Sequence, residues 1–237
     1  MTDPIGKVFL IGAGPGAADL ITVRGARLLG QADVVLHDAL VTDDILALCP
    51  QALKISVGKR CGQHATTQQT INEHLIACAH RYRMVVRLKG GDPMLFGRAD
   101  EELRALDSQR IPYEIVPGIT AALAAASAAQ RPLTRRGIAR SVSLFTSSTV
   151  SGEPGEFIMP NGDTLVQYMG GREASTTAQR LLALGYARTT PVVVVENCSR
   201  EQERILDLEL GTLEQHLLQC SGPVLVMIGQ ALAARGA

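Results

Sequence analysis

The sequence contains no tryptophan and only four tyrosines and four phenylalanines in 237 residues, so it offers few rings on which unpaired nucleobases could stack. It also lacks an excess of charge of either sign. Its 23 basic and 23 acidic side chains cancel, which removes any global electrostatic attraction to nucleic acid while leaving local basic patches open. Cysteine is sparse: Cys49, Cys61, Cys78, Cys198 and Cys220 never fall at C-x-x-C spacing. That argues against a disulfide framework and a zinc cluster, and reads them mostly as small buried hydrophobes. No apolar run is long enough to span a bilayer. The longest nearly unbroken one, Ile119 to Ala129, is alanine-rich and reads as a buried helix. The N-terminus shows no basic segment followed by an apolar stretch and a cleavage site, so the expected location is the cytoplasm.

What remains is a globular composition. A chain of this length buries roughly 70–75% of the surface it exposes when unfolded, enough for one large domain or two small ones. β-rich apolar runs recur at Lys7 to Ile11, Asp33 to His37, Leu53 to Val57, Met84 to Leu88 and Tyr113 to Val116. Helical spacing separates them at Leu20 to Ala32, Thr67 to His80 and Asp100 to Gln109. Such alternation predicts βαβ units around a mainly parallel sheet. In such sheets ligands bind beyond the carboxyl ends of the strands, where Gly12, Asp38, Gly58 and Gly90 all fall. Periodicity lapses from Gln130 to Arg140, read as a hinge. A second series follows, with strands at Ser141 to Phe145, Thr164 to Tyr168, Pro191 to Glu196 and Pro223 to Ile228, and helices at Glu173 to Gly185 and Thr212 to Leu218. The stretch from Thr146 to Asp163, rich in Ser, Gly and Pro, is expected to be a loop over the site. The expectation is an α/β protein of two successive lobes, residues 1–119 with a mainly parallel sheet and 120–237 with a mixed sheet, and an active-site cleft between them.

After the first strand, Gly12-Ala-Gly-Pro-Gly-Ala17 satisfies the dinucleotide pattern G-x-G-x-x-[G/A], with Asp33 and Asp38 some distance on. Pro15 counts against that reading, because proline brings no N–H to a pyrophosphate. The glycines would serve equally in a tight strand-to-helix turn. A second loop, Arg87-Leu-Lys-Gly-Gly-Asp-Pro-Met-Leu-Phe-Gly-Arg98, is one that a nicotinamide enzyme does not need. Its two glycines admit a ligand to the backbone, and Asp92 can accept hydrogen bonds from hydroxyl or ammonium donors.

Both loops belong to a wider pattern. Together with Asp38-Ala-Leu-Val41, Gly58-Lys-Arg-Cys-Gly-Gln-His64, Gln68, Ile71-Asn72, Ile111-Pro112, Val116-Pro-Gly-Ile-Thr-Ala121, Pro132-Leu-Thr-Arg135 and Tyr168-Met-Gly170, they resemble the tetrapyrrole methylases, and within them the uroporphyrinogen-III methyltransferases. The resemblance runs from Lys7 to about Gly229. It implies methylation of uroporphyrinogen III at C2 and C7, through precorrin-1 to precorrin-2, with S-adenosyl-L-methionine as methyl donor and S-adenosyl-L-homocysteine as product, for sirohaem or cobalamin synthesis. The donor would be held by Pro15, Gly90, Gly91, Asp92, Leu95, Thr120, Ala121, Met169 and Cys198. A proline in the first loop then costs little, since this donor has no phosphate.

By the same resemblance Asp38 is the proton acceptor and Lys59 a candidate proton donor. A carboxylate at the end of the second strand could also bind a ribose or cap the following helix. The substrate is rimmed with carboxylates, which gives Arg60, Arg87, Arg98, Arg135 and Arg136 a reason to face it. His64 belongs to the family's G-x-H segment and is expected to order its loop or meet substrate, while Lys89 is open between such a contact and a simply exposed side chain. No metal is expected, because His64, His74 and His80 lack carboxylate partners at ligand spacing. Ser147-Ser148 lacks the G-x-S-x-G elbow of a serine hydrolase. Relatives usually show Y-D, P-L-T-H-R, T-G-H and G-R-G-G-E-E where this chain has His37-Asp38, Pro132-Leu-Thr-Arg-Arg136, Thr146-Ser-Ser148 and Gly97-Arg-Ala-Asp-Glu-Glu102. These departures put the substrate side in question more than the reaction class. The partners expected are a small-molecule tetrapyrrole and a second copy of the chain in a homodimer, with neither nucleic acid nor membrane. From the chain length, added dehydrogenase and chelatase activities are not expected. Another precorrin methyltransferase, an NAD-dependent dehydrogenase and a non-catalytic binding relative are the alternatives.

Overall fold

Strand formation follows the β-branched runs. Lys7–Gly12 (β1), Val34–His37 (β2), Leu53–Ser56 (β3), Met84–Lys89 (β4) and Tyr113–Val116 (β5) pair in the order β3-β2-β4-β1-β5, every pair parallel. The computed structural model describes residues 5–58, 67–147, 157–217 and 220–234. The chain divides into two compact units, one ending at Thr120 and one beginning at Ala121. Among the described residues no helix is long and apolar enough to cross a membrane.

Four helices cover the first sheet: Val23–Leu29 (α1), Asp43–Leu46 (α2), Gln68–Arg81 (α3) and Ala99–Ser108 (α4). On one face Phe9, Ile11, Val35, Val86 and Leu88 pack with Leu29 of α1 and Ile45 and Leu46 of α2. On the other, Val8, Leu10, Val34, Leu36 and Val85 pack with Ile71 and Leu75 of α3 and Leu106 of α4. Burial on both faces is why these strands are almost uninterrupted apolar runs. Each fully buried Leu, Ile or Val contributes about 1.5–3 kcal/mol. The first helix begins later than its spacing predicts, at Val23 after a 3₁₀ turn at Ala18–Leu20. The cause is Thr22, whose side-chain oxygen accepts the Gly25 N–H at 3.0 Å and fixes the N-cap there. Thr67 caps α3 in the same way, accepting from the Thr70 N–H at 3.1 Å.

The second unit opens with Ala121–Ala128 (α5). It continues through Val142–Thr146 (β6), Thr164–Tyr168 (β7), Gly170–Ala183 (α6), Pro191–Glu196 (β8), Arg204–Glu209 (β9), Leu213–Leu217 (α7) and Val224–Gly229 (β10). Its sheet order is β6-β7-β10-β8-β9. Only β6 and β7 are parallel, so the α/β class with a parallel first sheet and a mixed second one is as the sequence predicts. Ala174, Ala178 and Leu181 of α6 and Leu213 and Leu217 of α7 pack on Leu165, Val192, Val194, Val226 and Ile228. The segment read as a hinge lies inside this unit. There the backbones of Arg135 and Ala139 bond to each other at 3.0 and 2.8 Å and close a turn. Of the loop expected over the site, residues 148–156 lie outside the described residues.

Candidate active site

The loops leaving β1, β4 and β5 emerge from the same edge of the parallel sheet and are joined to one another. Gly14 and Gly91 form an antiparallel bridge, Gly14 N–H to Gly91 C=O at 3.2 Å and Gly91 N–H to Gly14 C=O at 2.7 Å, and the Ala13 N–H donates to the Lys89 carbonyl at 2.8 Å. Asp92 ties in the third loop: its Oδ2 accepts the Gly118 N–H at 2.9 Å and its Oδ1 the Met94 N–H at 2.8 Å. A carboxylate has about four lone-pair sites, so Asp92 organises its loop and keeps capacity to accept from a ligand. Two glycines here are required for different reasons. A Cβ on Gly12 would stand 2.5 Å from Gly118 Cα and 2.7 Å from the Gly91 oxygen. Gly91 sits at φ +68° in the left-handed region, and a Cβ there would meet only Thr120 Cα, at 4.0 Å. The loop is thus closed on its sheet side and open at Gly91. Pro15 follows Gly14 at the bend, Leu95 is half-buried, and the Leu95 N–H donates to the Asp92 carbonyl at 3.4 Å.

This arrangement does not suit a pyrophosphate. The Ala13 and Gly14 N–H groups already serve the neighbouring loop, Pro15 has none, and the element that follows is a single 3₁₀ turn rather than a helix N-terminus.

Asp38 follows β2 at the same edge, with its side chain 31% exposed. It lines a cavity of about 420 Å³ together with His37, Ala39, Val41, Thr42, Asp43, Leu46 and Ser56. Its Oδ1 accepts from Arg87 Nη2 at 2.6 Å. Arg87 is only 2% exposed. Its Nε donates to Glu102 Oε1 at 3.0 Å, and its Nη1 to the carbonyls of Leu36 and Leu88 at 3.4 and 3.3 Å. Lys89 Nζ donates to the same Glu102 oxygen at 2.9 Å. Burial works against the charge on Arg87, but the carboxylates of Asp38 and Glu102 outweigh it and hold its pKa above the ordinary value. For Lys89, burial and then the adjacent Arg87 win over Glu102, and the ammonium pKa is lowered.

In the second unit the predicted positions gather at one sheet edge. β7 and β8 each run antiparallel to β10 between them, so Met169 and Cys198 leave the sheet on the same side. Met169 adopts a left-handed conformation, φ 57°, as the N-cap of α6. The Ala122 N–H, in the first turn of α5, donates to the Tyr168 hydroxyl at 3.2 Å, which brings Ala121 to Tyr168-Met169. Thr120 and Ala121 are the junction of the two units. Cys198 is buried, and its thiol is pushed up to about 11 by burial and then by Glu203, so it is uncharged at neutral pH.

A model of the tetrapyrrole (corrin/porphyrin) methylases matches residues 7–214. The chain belongs to this family. Siroheme synthase of Escherichia fergusonii is 43% identical over 98% of the chain, an alignment that covers 52% of that protein; the chain spans about half the length of the curated relatives it matches. Among solved structures, uroporphyrin-III C-methyltransferase of Thermus thermophilus complexed with S-adenosylhomocysteine is 36% identical, with a TM-score of 0.82 over 95% of this chain and 98% of that one. Cobalt precorrin-4 methyltransferase is 30% identical, with a TM-score of 0.84 over 96% of each chain.

Two sequence readings of this methylase change. Arg87, read as a substrate contact, is an interior residue whose guanidinium is committed to Asp38, Glu102 and two carbonyls. Lys89, which the sequence leaves open between a substrate contact and an exposed side chain, is buried at 3% on Glu102. Alternation along β4 puts both on the sheet face that α4 covers, and Glu102 on α4 receives them. Arg98 remains exposed at the N-cap of α4, paired with Glu101 through two bonds of 2.7 Å. Arg135 and Arg136 lie in the turn closed by Ala139, Arg135 half-buried and Arg136 exposed. Lys59, Arg60 and His64 lie outside the described residues.

Proposed function

We propose that the chain is an S-adenosylmethionine-dependent C-methyltransferase that converts uroporphyrinogen III to precorrin-2 by methylating C2 and C7 in turn. The observation that carries this is Asp38: a part-exposed carboxylate anchored through one oxygen to a buried guanidinium, at the strand edge where the bridged glycine loops lie. The loops suit the donor. The backbone at Gly91 is open, no pyrophosphate-binding helix N-terminus follows β1, and Leu95 in the same loop is only half-buried. Pro15, Gly90, Gly91, Asp92, Leu95, Thr120, Ala121, Met169 and the backbone of Cys198 are the residues that would hold it.

When bound, S-adenosylmethionine supplies a methyl group already activated by a sulfonium charge, so the protein's work is positioning and proton handling. Asp38 takes the proton lost from the macrocycle as the new carbon–carbon bond forms. Its bond to Arg87 keeps the carboxylate in one orientation between the two rounds. Lys59 is the donor of a proton, and Arg60, His64, Arg98, Arg135 and Arg136 meet the substrate carboxylates. Within this reading the enzyme works as a cytoplasmic homodimer. Incubation with S-adenosylmethionine and uroporphyrinogen III should add the mass of two methyl groups; a product without that gain ends the proposal. The likeness to cobalt precorrin-4 methyltransferase supports a second reading, a later precorrin as substrate, which competition between the two tetrapyrroles separates.

A further inference from the structure

Glu102 lies fully buried on the stripe of α4 that also buries Ala99 and Leu106. A carboxylate in such a place is strongly destabilising unless it is paired. Its Oε1 accepts from Arg87 Nε at 3.0 Å, from Lys89 Nζ at 2.9 Å and from Gln68 Nε2 at 3.5 Å, while Oε2 has no partner among the described residues. Arg87 and Lys89 arrive together because alternate residues of a strand share a face. Of these four charges, only Asp38 reaches solvent to any extent. Two cations and two carboxylates sum to zero when Asp38 is ionised. A proton on Asp38 leaves one buried positive charge without a counterpart.

We infer that Glu102, itself held by Lys89, is a positioning residue that fixes Arg87 through its Nε, so that Nη2 stays on Asp38, and that Glu102 and Lys89 set the charge balance against which Asp38 takes up and releases its proton. This rests on the reading of Asp38 as proton acceptor. Among the described residues, the charged groups around Asp38 are Arg87 and Lys89 from β4 and Glu102 from α4, with His37 and Asp43 lining the same cavity. Burial and then Arg87 act against the charge on Lys89, while Glu102 and Asp38 favour it.

The test compares pH profiles of kcat for Lys89→Met, Glu102→Gln and the double variant, with Asp38→Asn as reference. Lys89→Met removes a positive charge, which makes Asp38 harder to ionise. The acid limb should move up by about one pH unit, with KM for both substrates within about twofold of wild type. Glu102→Gln should lower kcat on the order of tenfold or more, and Glu102→Asp, which keeps the charge, should recover part of the loss. The double variant replaces the buried pair by neutral groups of similar volume and should fold even where a single variant does not. It should keep the reduced kcat, because Arg87 has lost its clamp. A double variant with wild-type kcat and acid limb makes Glu102 and Lys89 a core ion pair alone and overturns the inference, provided that Asp38→Asn has lost turnover. Turnover retained by Asp38→Asn removes the acceptor reading itself and this inference with it.

Discussion

Gly14 and Gly91 exchange both of their backbone hydrogen bonds across two loops that are far apart in sequence. The donor-binding surface proposed here is therefore a pair of loops held as one object. Gly12→Ala and Gly91→Ala should separate the two roles of its glycines. At Gly12 the added methyl would force apart Gly118 and Gly91, so we expect a loss of several kcal/mol, in the range of overpacked interiors, with S-adenosylhomocysteine binding abolished. At Gly91 there is room but φ is +68°. The strain there is about 1–2 kcal/mol, so the protein should remain folded with a modestly lower Tm and weakened binding. Thermal unfolding and calorimetric titration check both. Equal effects would show that the bridge does not organise the site.

Asp92→Asn tests whether this carboxylate acts first on its own loop. Asparagine has one acceptor oxygen, and Asp92 uses two, for Met94 and Gly118. One N–H should lose its partner at a cost of about 1–3 kcal/mol, and affinity for S-adenosylhomocysteine should fall by at least tenfold as the β5 loop loosens. Unchanged stability alongside weakened binding would instead assign Asp92 to the ligand alone.

The parts of this protein legible in its sequence are those dictated by burial of apolar side chains. Val8 to Ile11 and Val34 to Leu36 are strands because both faces are covered, and Ile71, Leu75 and Cys78 mark the buried face of α3. β9, Arg204–Glu209, was not legible. It is an edge strand with four of its six residues exposed, held to β8 by backbone pairing that leaves little apolar signal. At the site, the position of Asp38 at a strand end could be read; its partner could not. The signal was nevertheless present, because Arg87 and Lys89 alternate on one face of a strand expected to be buried, and Glu102 falls at the apolar stripe of α4. Buried cations require a buried carboxylate. The Tyr168–Ala122 contact has no local signal, since only the tertiary fold brings the start of α5 to the end of β7.

Asp38→Asn should lower kcat by about 10²–10⁴-fold, the usual contribution of a general base, while leaving S-adenosylhomocysteine affinity within a few-fold of wild type. Arg87 then loses one of its two carboxylates, but the amide oxygen can still accept from Nη2, so the fold should persist. Steady-state kinetics and titration on the same preparation check this. A parallel loss of binding and turnover would mean that Asp38 holds a ligand and does not move a proton.

Glu196 gives the second unit an acid-sensitive joint. It is buried at the end of β8, where Oε1 accepts the N–H groups of Ser221 and Gly222 at 2.6 and 2.7 Å and Oε2 accepts from Arg204 Nε at 2.8 Å. Burial alone would raise its pKa. The two backbone donors and Arg204 outweigh burial and hold it below the ordinary carboxylate value. A depressed folded-state pKa contributes stability that is complete above the unfolded-state value, near 4.5, and disappears as pH falls from there through the folded-state value. Glu196→Gln should therefore lower Tm at pH 7 by the equivalent of about 1–3 kcal/mol. The variant and wild type should converge only once pH has fallen below the folded-state value. Parallel Tm curves across that range would show that the carboxylate charge is not what joins the β8 end to the Ser221–Gly222 turn.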